Sequence, residues 1–388
     1  MALCLFGLII LLPSQVALEG AKNLTPASRY QALIKEWNVA VEKAEVEGAN
    51  RKGIWLCDEK DRLKFSVGQR VLEITRDNPK DPGAIEALLW VTGQGLHRDT
   101  IGEALELLRR DHVADARISP ACDRAFAGIY TTPASVDRFL RDVLAKSPYR
   151  DVRGRALLGL AFSLELRAGS TREMERDSSL RLHIERLLRK PENLAAWRSR
   201  TPCDMDREAD KLLERVVAEF SDVVGADKRS LGDLARGELF QRRALAVGKV
   251  APDIEGCDAD GKRLRLSDYR GRVVVLTFSF NSCAPCRAMY PQERELVAKM
   301  RGKPFDLLSV SVDEDIGALK RSIAKGEITW RCWWDGGSSG PIATRWGISG
   351  FPSVFVFDKS GTIRFRDLRG RDLEKAAELL VNETETKP

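Results

Sequence analysis

The run Val273-Val274-Val275-Leu276-Thr277-Phe278-Ser279-Phe280 constrains this chain more than any other stretch, because it leads directly into Asn281-Ser282-Cys283-Ala284-Pro285-Cys286-Arg287. A continuous β-branched and aromatic run of this kind reads as a strand in a sheet covered on both faces. The residues after it read as the first turn of a helix carrying two cysteines three residues apart. Orphan backbone N–H groups and the positive end of the helix dipole stabilise a thiolate there, and cysteine pKa values in such settings fall from about 8.5 to roughly 3.5–7.5. A fall to about 7 raises the thiolate share at neutral pH from roughly 3% to about half.

The chain has 388 residues, too many for one ordinary core, and fits two domains plus a leader. Its net charge of +6 is not concentrated: 23 Lys/Arg face 20 Asp/Glu from Ala246 onward, and the remainder is balanced in the same way. With no basic block interleaved with aromatics, nucleic-acid binding is not expected. The three histidines, His97, His112 and His183, stand at no ligand spacing to one another or to a cysteine, so no metal site is expected. Residues 1–21 open with an almost wholly apolar stretch from Met1 to Leu12, followed by Pro13 and small residues. That pattern reads as a signal peptide or a membrane anchor and predicts an extracytoplasmic protein, periplasmic or secreted, or tethered to a membrane. Of eight cysteines, Cys4 falls in this leader, and Cys57, Cys122, Cys203, Cys257 and Cys332 are too scattered for a disulfide scaffold. They read as small buried hydrophobes, with a Cys122–Cys203 bridge permitted but not specified.

Residues 22–246 read as helix throughout. Capping residues followed by proline recur at Thr25-Pro26, Asp81-Pro82, Ser119-Pro120, Thr132-Pro133 and Ser147-Pro148. Capping boxes are expected at Thr100 with Glu103 and at Ser170 with Glu173, and a helix stop at Gly169. Short connections between helices predict an all-α domain of stacked helical pairs, solenoid-like but without a repeat consensus. It offers no chemistry of its own, so scaffolding or binding a protein partner is its expected role.

Residues 247–388 change to alternating strands and helices, the pattern of an α/β domain. An Asp-Gly turn at Asp258 to Gly261 joins a hairpin. After the cysteine helix come a strand at Leu307 to Val312, a helix from Glu314 to about Lys325, and a short helix opened by Gly340-Pro341. A strand at Ser353 to Phe357, another at Thr362 to Phe365 and a helix from Arg371 complete the order.

This last region resembles the thioredoxin superfamily, specifically the TlpA-like extracytoplasmic thiol:disulfide oxidoreductases. The resemblance is carried by Val250-Ala251-Pro252-Asp253 with Leu266 to Gly271, by Cys283-Ala284-Pro285-Cys286-Arg287, by Ser311-Val312-Asp313, and by Gly350-Phe351-Pro352-Ser353. It implies a C-terminal thioredoxin-like fold and a thiol:disulfide oxidoreductase, a reductase by the proline at 285, acting on protein disulfides. Cys283 would attack and Cys286 would resolve the mixed disulfide, with no cofactor beyond the disulfide these two form. Pro352 would stand opposite them in cis geometry, with Phe351 offering its backbone to an extended substrate strand. The partners implied are a disulfide-containing protein and an upstream thiol donor. Ala284 departs modestly from the usual glycine, and Ser282 stands where the family usually has tryptophan. Thr277 occupies the place of thioredoxin's buried carboxylate and cannot act as a base, so a water, Glu293 or Glu295 would have to serve.

Rival readings use the same residues. A structural disulfide needs no catalysis, whereas a zinc ribbon needs a second close cysteine pair and finds none. A thiol peroxidase needs a threonine where Phe280 stands. A helical scaffold carrying a weakly active thioredoxin-like module is the main alternative.

Overall fold

The computed structural model describes residues 25–383 apart from 49–53, 94–97, 131, 189, 227 and 349. The expected leader, with Cys4, and the side chain of Cys57 lie outside the described residues. The chain divides into two compact units, one ending at Gly232 and one beginning at Asp233.

The first unit is helical: α1 (Pro26–Gly48), α2 (Ile54–Asp77), α3 (Ala84–Gly93), α4 (Arg98–Asp111), α5 (Ser119–Arg124), α6 (Pro133–Lys146), α7 (Arg150–Arg176), α8 (Ser178–Leu187), α9 (Pro191–Arg198) and α10 (Pro202–Glu219). The early helices pack each on its successor, while α5, α6, α8 and α10 all gather on α7. Helix α7 can serve them all because Val152, Ala156, Leu157, Leu160, Ala161, Leu164 and Ala168 bury apolar surface around more than one face. Its Gly159 allows α5 a backbone-close approach, since a Cβ there would lie 2.7 Å from the Cys122 carbonyl oxygen.

Proline-based starts are read correctly at Pro26 and Pro133, and run two residues early at Pro82 and Pro148. At the first of these, Asp81 caps a turn instead, accepting from the Gly83 N–H at 2.8 Å. Both capping boxes are corrected. Thr100 lies inside the first turn of α4, and Ser170 lies well inside α7, which runs through Gly169 without stopping. Ser170 is buried, and its hydroxyl meets the Tyr130 phenol at 3.0 Å, so tertiary packing supplies the partner a cap would have supplied. A genuine cap that uses the same signal stands at Thr201-Pro202, where the Thr201 hydroxyl accepts from the Asp204 N–H. Cys122, buried, and Cys203, exposed, are free thiols and form no bridge.

The second unit takes in the last helix ahead of the expected boundary, α11 (Leu231–Ala244), from Asp233 onward. Phe240 packs on the sheet core with Leu245, and Arg366 donates to Gln241 Oε1 at 2.8 Å. The remaining elements are β1 (Glu255–Cys257), β2 (Arg263–Arg265), β3 (Val273–Ser279), α12 (Ala284–Lys299), β4 (Phe305–Ser311), α13 (Ile316–Ala324), β5 (Arg331–Trp334), α14 (Pro341–Arg345), β6 (Ser353–Phe357), β7 (Ile363–Arg366) and α15 (Gly370–Asn382). Strands β1 and β2 pair as the expected hairpin. The main sheet runs β5-β4-β3-β6-β7. Strands β3, β4 and β5 are parallel, and β6 and β7 are antiparallel to their neighbours.

Every residue of β3 is buried, as a central strand covered on both faces requires. Val274, Leu276 and Phe278 face a core with Trp333, Trp346, Phe355 and Phe357. Val273 and Val275 face the opposite core, where Met289 and Leu296 of α12 meet Leu373, Ala377 and Leu380 of α15. This is the α/β arrangement expected from the sequence, with β5 as an added edge strand.

Candidate dithiol site

The site forms where β3 ends and α12 begins. Cys283 is the N-cap of α12, and its Sγ accepts from the Cys286 N–H at 3.2 Å. Pro285 falls within the first two helical positions, where a residue without an N–H costs no intrahelical bond. Cys283 and Cys286 form a disulfide with their Cα atoms 5.3 Å apart. Cys283 is 8% exposed and Cys286 1%, while Ala284 and Pro285 are exposed. A reactant arriving from solvent therefore reaches Cys283 first. An orphan N–H aimed at its sulfur is the group that favours a thiolate once the bond opens.

Just before β6, the strand paired with β3, the Phe351–Pro352 peptide is cis. The Phe351 carbonyl oxygen lies 4.0 Å from Cys283 Sγ. The rings of Phe280 and Phe351 meet edge to face at 5.3 Å, which joins the turn before the cysteines to the proline loop.

Two supports were not singled out from sequence. Asn281 holds the turn before Cys283: its N–H and its Nδ2 donate to the two oxygens of Asp313, each at 2.9 Å, and its Oδ1 accepts from the Ser322 hydroxyl at 2.8 Å. The signal was topological, because parallel neighbours β3 and β4 bring the residues just past their C-terminal ends together. Arg369 donates to the Pro352 carbonyl at 3.0 Å and contacts Met289 Sδ at 3.5 Å, tying the proline loop to the cysteine helix. No local motif announces it, since it sits just before α15 and reaches the site only through the fold.

Thr277 is buried, and its hydroxyl has no partner. Of the two carboxylates considered in its stead, Glu295 is exposed and Glu293 is 3% exposed. Burial pushes the Glu293 carboxyl up to about 8. Cys257 is exposed and Cys332 buried, both free, and burial pushes the Cys332 thiol up to about 12. Among the described residues no group of three or more His, Cys, Asp or Glu side chains could hold a metal ion.

A model of the AhpC/TSA family matches residues 247–366. The thiol-disulfide oxidoreductase ResA of Bacillus thuringiensis subsp. konkukian is 27% identical over 145 residues, which is 37% of this chain and 82% of that protein. ResA of Geobacillus thermodenitrificans is 29% identical over 124 residues, covering 32% of this chain and 70% of its own length. Among solved structures, the thioredoxin domain of a thiol-disulfide oxidoreductase from Bacteroides vulgatus is 30% identical. It covers 35% of this chain and 99% of that domain, with a TM-score of 0.34.

Proposed function

We propose that the C-terminal unit, a TlpA-like domain of the thioredoxin superfamily and a thioredoxin-like thiol-disulfide oxidoreductase, reduces protein disulfides through its Cys-Ala-Pro-Cys site. The observation that supports this most is the exposure difference between Cys283 and Cys286 at the start of α12, set against the cis Phe351–Pro352 loop. In the reduced form the Cys283 thiolate attacks one sulfur of the substrate disulfide, and the second substrate sulfur leaves as a thiolate. Cys286 then attacks Cys283 Sγ, closing the Cys283–Cys286 disulfide and releasing the first substrate sulfur. Two electrons pass to the substrate, and a thiol donor of the same chemistry returns them. An extended substrate strand docks along Phe351.

An extracytoplasmic site of action, with residues 1–21 as signal or tether, belongs to the same reading. Among the described residues no helix is long and apolar enough to cross a membrane. The helical unit then serves to bind a protein partner. The test is turnover of a protein disulfide such as that of insulin, with the protein in catalytic amount and a chemical reductant in excess. Turnover is expected from the wild type and not from Cys283→Ser, and equal rates for the two would refute the proposal.

A further inference from the structure

We propose that Glu293 takes up and returns the Cys286 proton, acting through a layer of hydroxyls buried between α12 and the sheet; this deepens the oxidoreductase reading and rests on it. The layer is built by register. Residues 273, 275, 277 and 279 of β3 point toward α12, because Val273 and Val275 share a core with Met289 and Leu296. Pairing with β4 sets Ser309 beside Thr277 and Ser311 beside Ser279, and β5 sets Cys332 beside Ser309. Thus the sheet beneath the cysteine helix is apolar at one end and hydroxylated at the end near the disulfide. All four hydroxyl-bearing residues are buried, Thr277 at 2%, Ser279 at 6%, Ser309 at 1% and Ser311 at 2% exposure.

From above, Cys286, Tyr290 and Glu293 lie at i, i+4 and i+7, one face of α12, and all three are buried. The Tyr290 phenol bonds to Ser279. Ser309 accepts from Trp330 Nε1 at 3.0 Å, and Ser311 donates to Asp313 at 2.8 Å. Within this layer, the Thr277 hydroxyl is left without a partner. The span from Cys286 to Glu293 is about 10 Å along the axis, and helical side chains tilt toward the N-terminus, so the longer glutamate side chain recovers part of it. The proposed relay places a water between them on the unpartnered Thr277 hydroxyl.

A leucine at 293 would complete this core, so packing gives no reason for an acid. Burial alone sets its acidity, with no hydrogen bond or neighbouring charge acting on it. A value near neutrality suits a group that must both give and accept a proton. A cleft of about 340 Å³ between α12 and α15, lined by Met289, Gln292, Glu293 and Arg371 among others, connects it to solvent. Charged and titratable neighbours are Tyr290, Glu295 and Lys299 on its own helix and Arg371 and Glu374 from α15. Asp313 and Cys332 act from the sheet side on Tyr290. Lys299 is paired with Glu374 and Glu378, and β3 contributes hydroxyls only.

In the resolving step the Cys286 S–H proton passes by way of the water to the Glu293 carboxylate. The thiolate so formed attacks Cys283 Sγ, the S–S bond to substrate breaks, and the substrate thiolate leaves with the electron pair. When a donor thiol reopens the disulfide, the proton returns from Glu293 to Cys286.

The test mixes the reduced full chain, carrying Cys4→Ser, Cys57→Ser, Cys203→Ser and Cys257→Ser, with the chromophoric disulfide 5,5′-dithiobis(2-nitrobenzoate). The first thiolate released reports attack by Cys283, and the second reports resolution by Cys286. Glu293→Gln is expected to leave the first phase unchanged, to slow the second on the order of 100-fold, and to remove its inflection near pH 8. Glu293→Asp is expected to restore part of the rate. An unaltered second phase in Glu293→Gln overturns the proposal while leaving the oxidoreductase reading intact; absence of the first phase in the parent overturns both. Carbon-13 carboxyl titration of the parent gives a check that needs no variant at 293. The high glutamate midpoint is expected to move when the disulfide is reduced, and a midpoint indifferent to redox state overturns the proposal.

Discussion

At the scale of single residues, the site depends on groups whose partners come from other elements. Asp313 is 9% exposed and satisfies two donors of Asn281 as well as the Ser311 hydroxyl. Asp313→Ala leaves those donors unpaired beside the redox turn, and a loss of about 2–3 kcal/mol in urea unfolding is expected. Glu293 gives a prediction in pH. Its carboxyl stands at about 8 in the folded chain against 4.5 for an unhindered glutamate. A raised acid has its full share of stability below the unfolded value and loses it as pH climbs toward the folded one. The loss reaches about 3 kcal/mol by pH 7. Urea midpoints of the disulfide form, measured at pH 5 and pH 8, are therefore expected to fall more for wild type than for Glu293→Gln.

At the scale of elements, legibility followed how local the cause is. β3, β6 and the start of α12 were readable because a buried apolar run and an N-capping cysteine act within a few residues. β5 was not, since Arg331 to Trp334 is too short to show a period and becomes a strand only beside β4. The close cysteine pair, which forms a disulfide, and the cis Phe351–Pro352 peptide were legible as motifs, whereas Arg369 and the Asn281–Asp313 clamp exist only once distant segments meet. Gly169 misled in the same way, being a helix breaker by composition that α7 carries through its length. Two glycines of α7 now separate the causes. Gly159→Ala forces a Cβ against the Cys122 carbonyl and is expected to cost about 2 kcal/mol or more, the upper range for overpacking. Gly169 has nothing within 4 Å, so Gly169→Ala is expected to stabilise by about 0.5–1 kcal/mol. Thermal melts of the two variants should move in opposite directions.

At the scale of the whole molecule, the division into a helical unit and an α/β unit was readable from the change of period, but the place of the division was not. Residues 233–245 have helical spacing and read with the helices before them. Yet Leu245 is fully buried in the sheet core, with Phe240 packed against it. A fragment beginning at Asp233 is therefore expected to melt cooperatively, and one beginning at Val247 to lose about 3 kcal/mol or more from the uncovered sheet face. The central claim, that Cys283 attacks a substrate disulfide and Cys286 resolves it, is tested most directly by intact mass and peptide mapping of reduced Cys286→Ser after exposure to a disulfide-containing protein. A mixed disulfide on Cys283 that accumulates in this variant and not in wild type is the expected result. No adduct, or one confined to the exposed Cys203 or Cys257, would contradict the account.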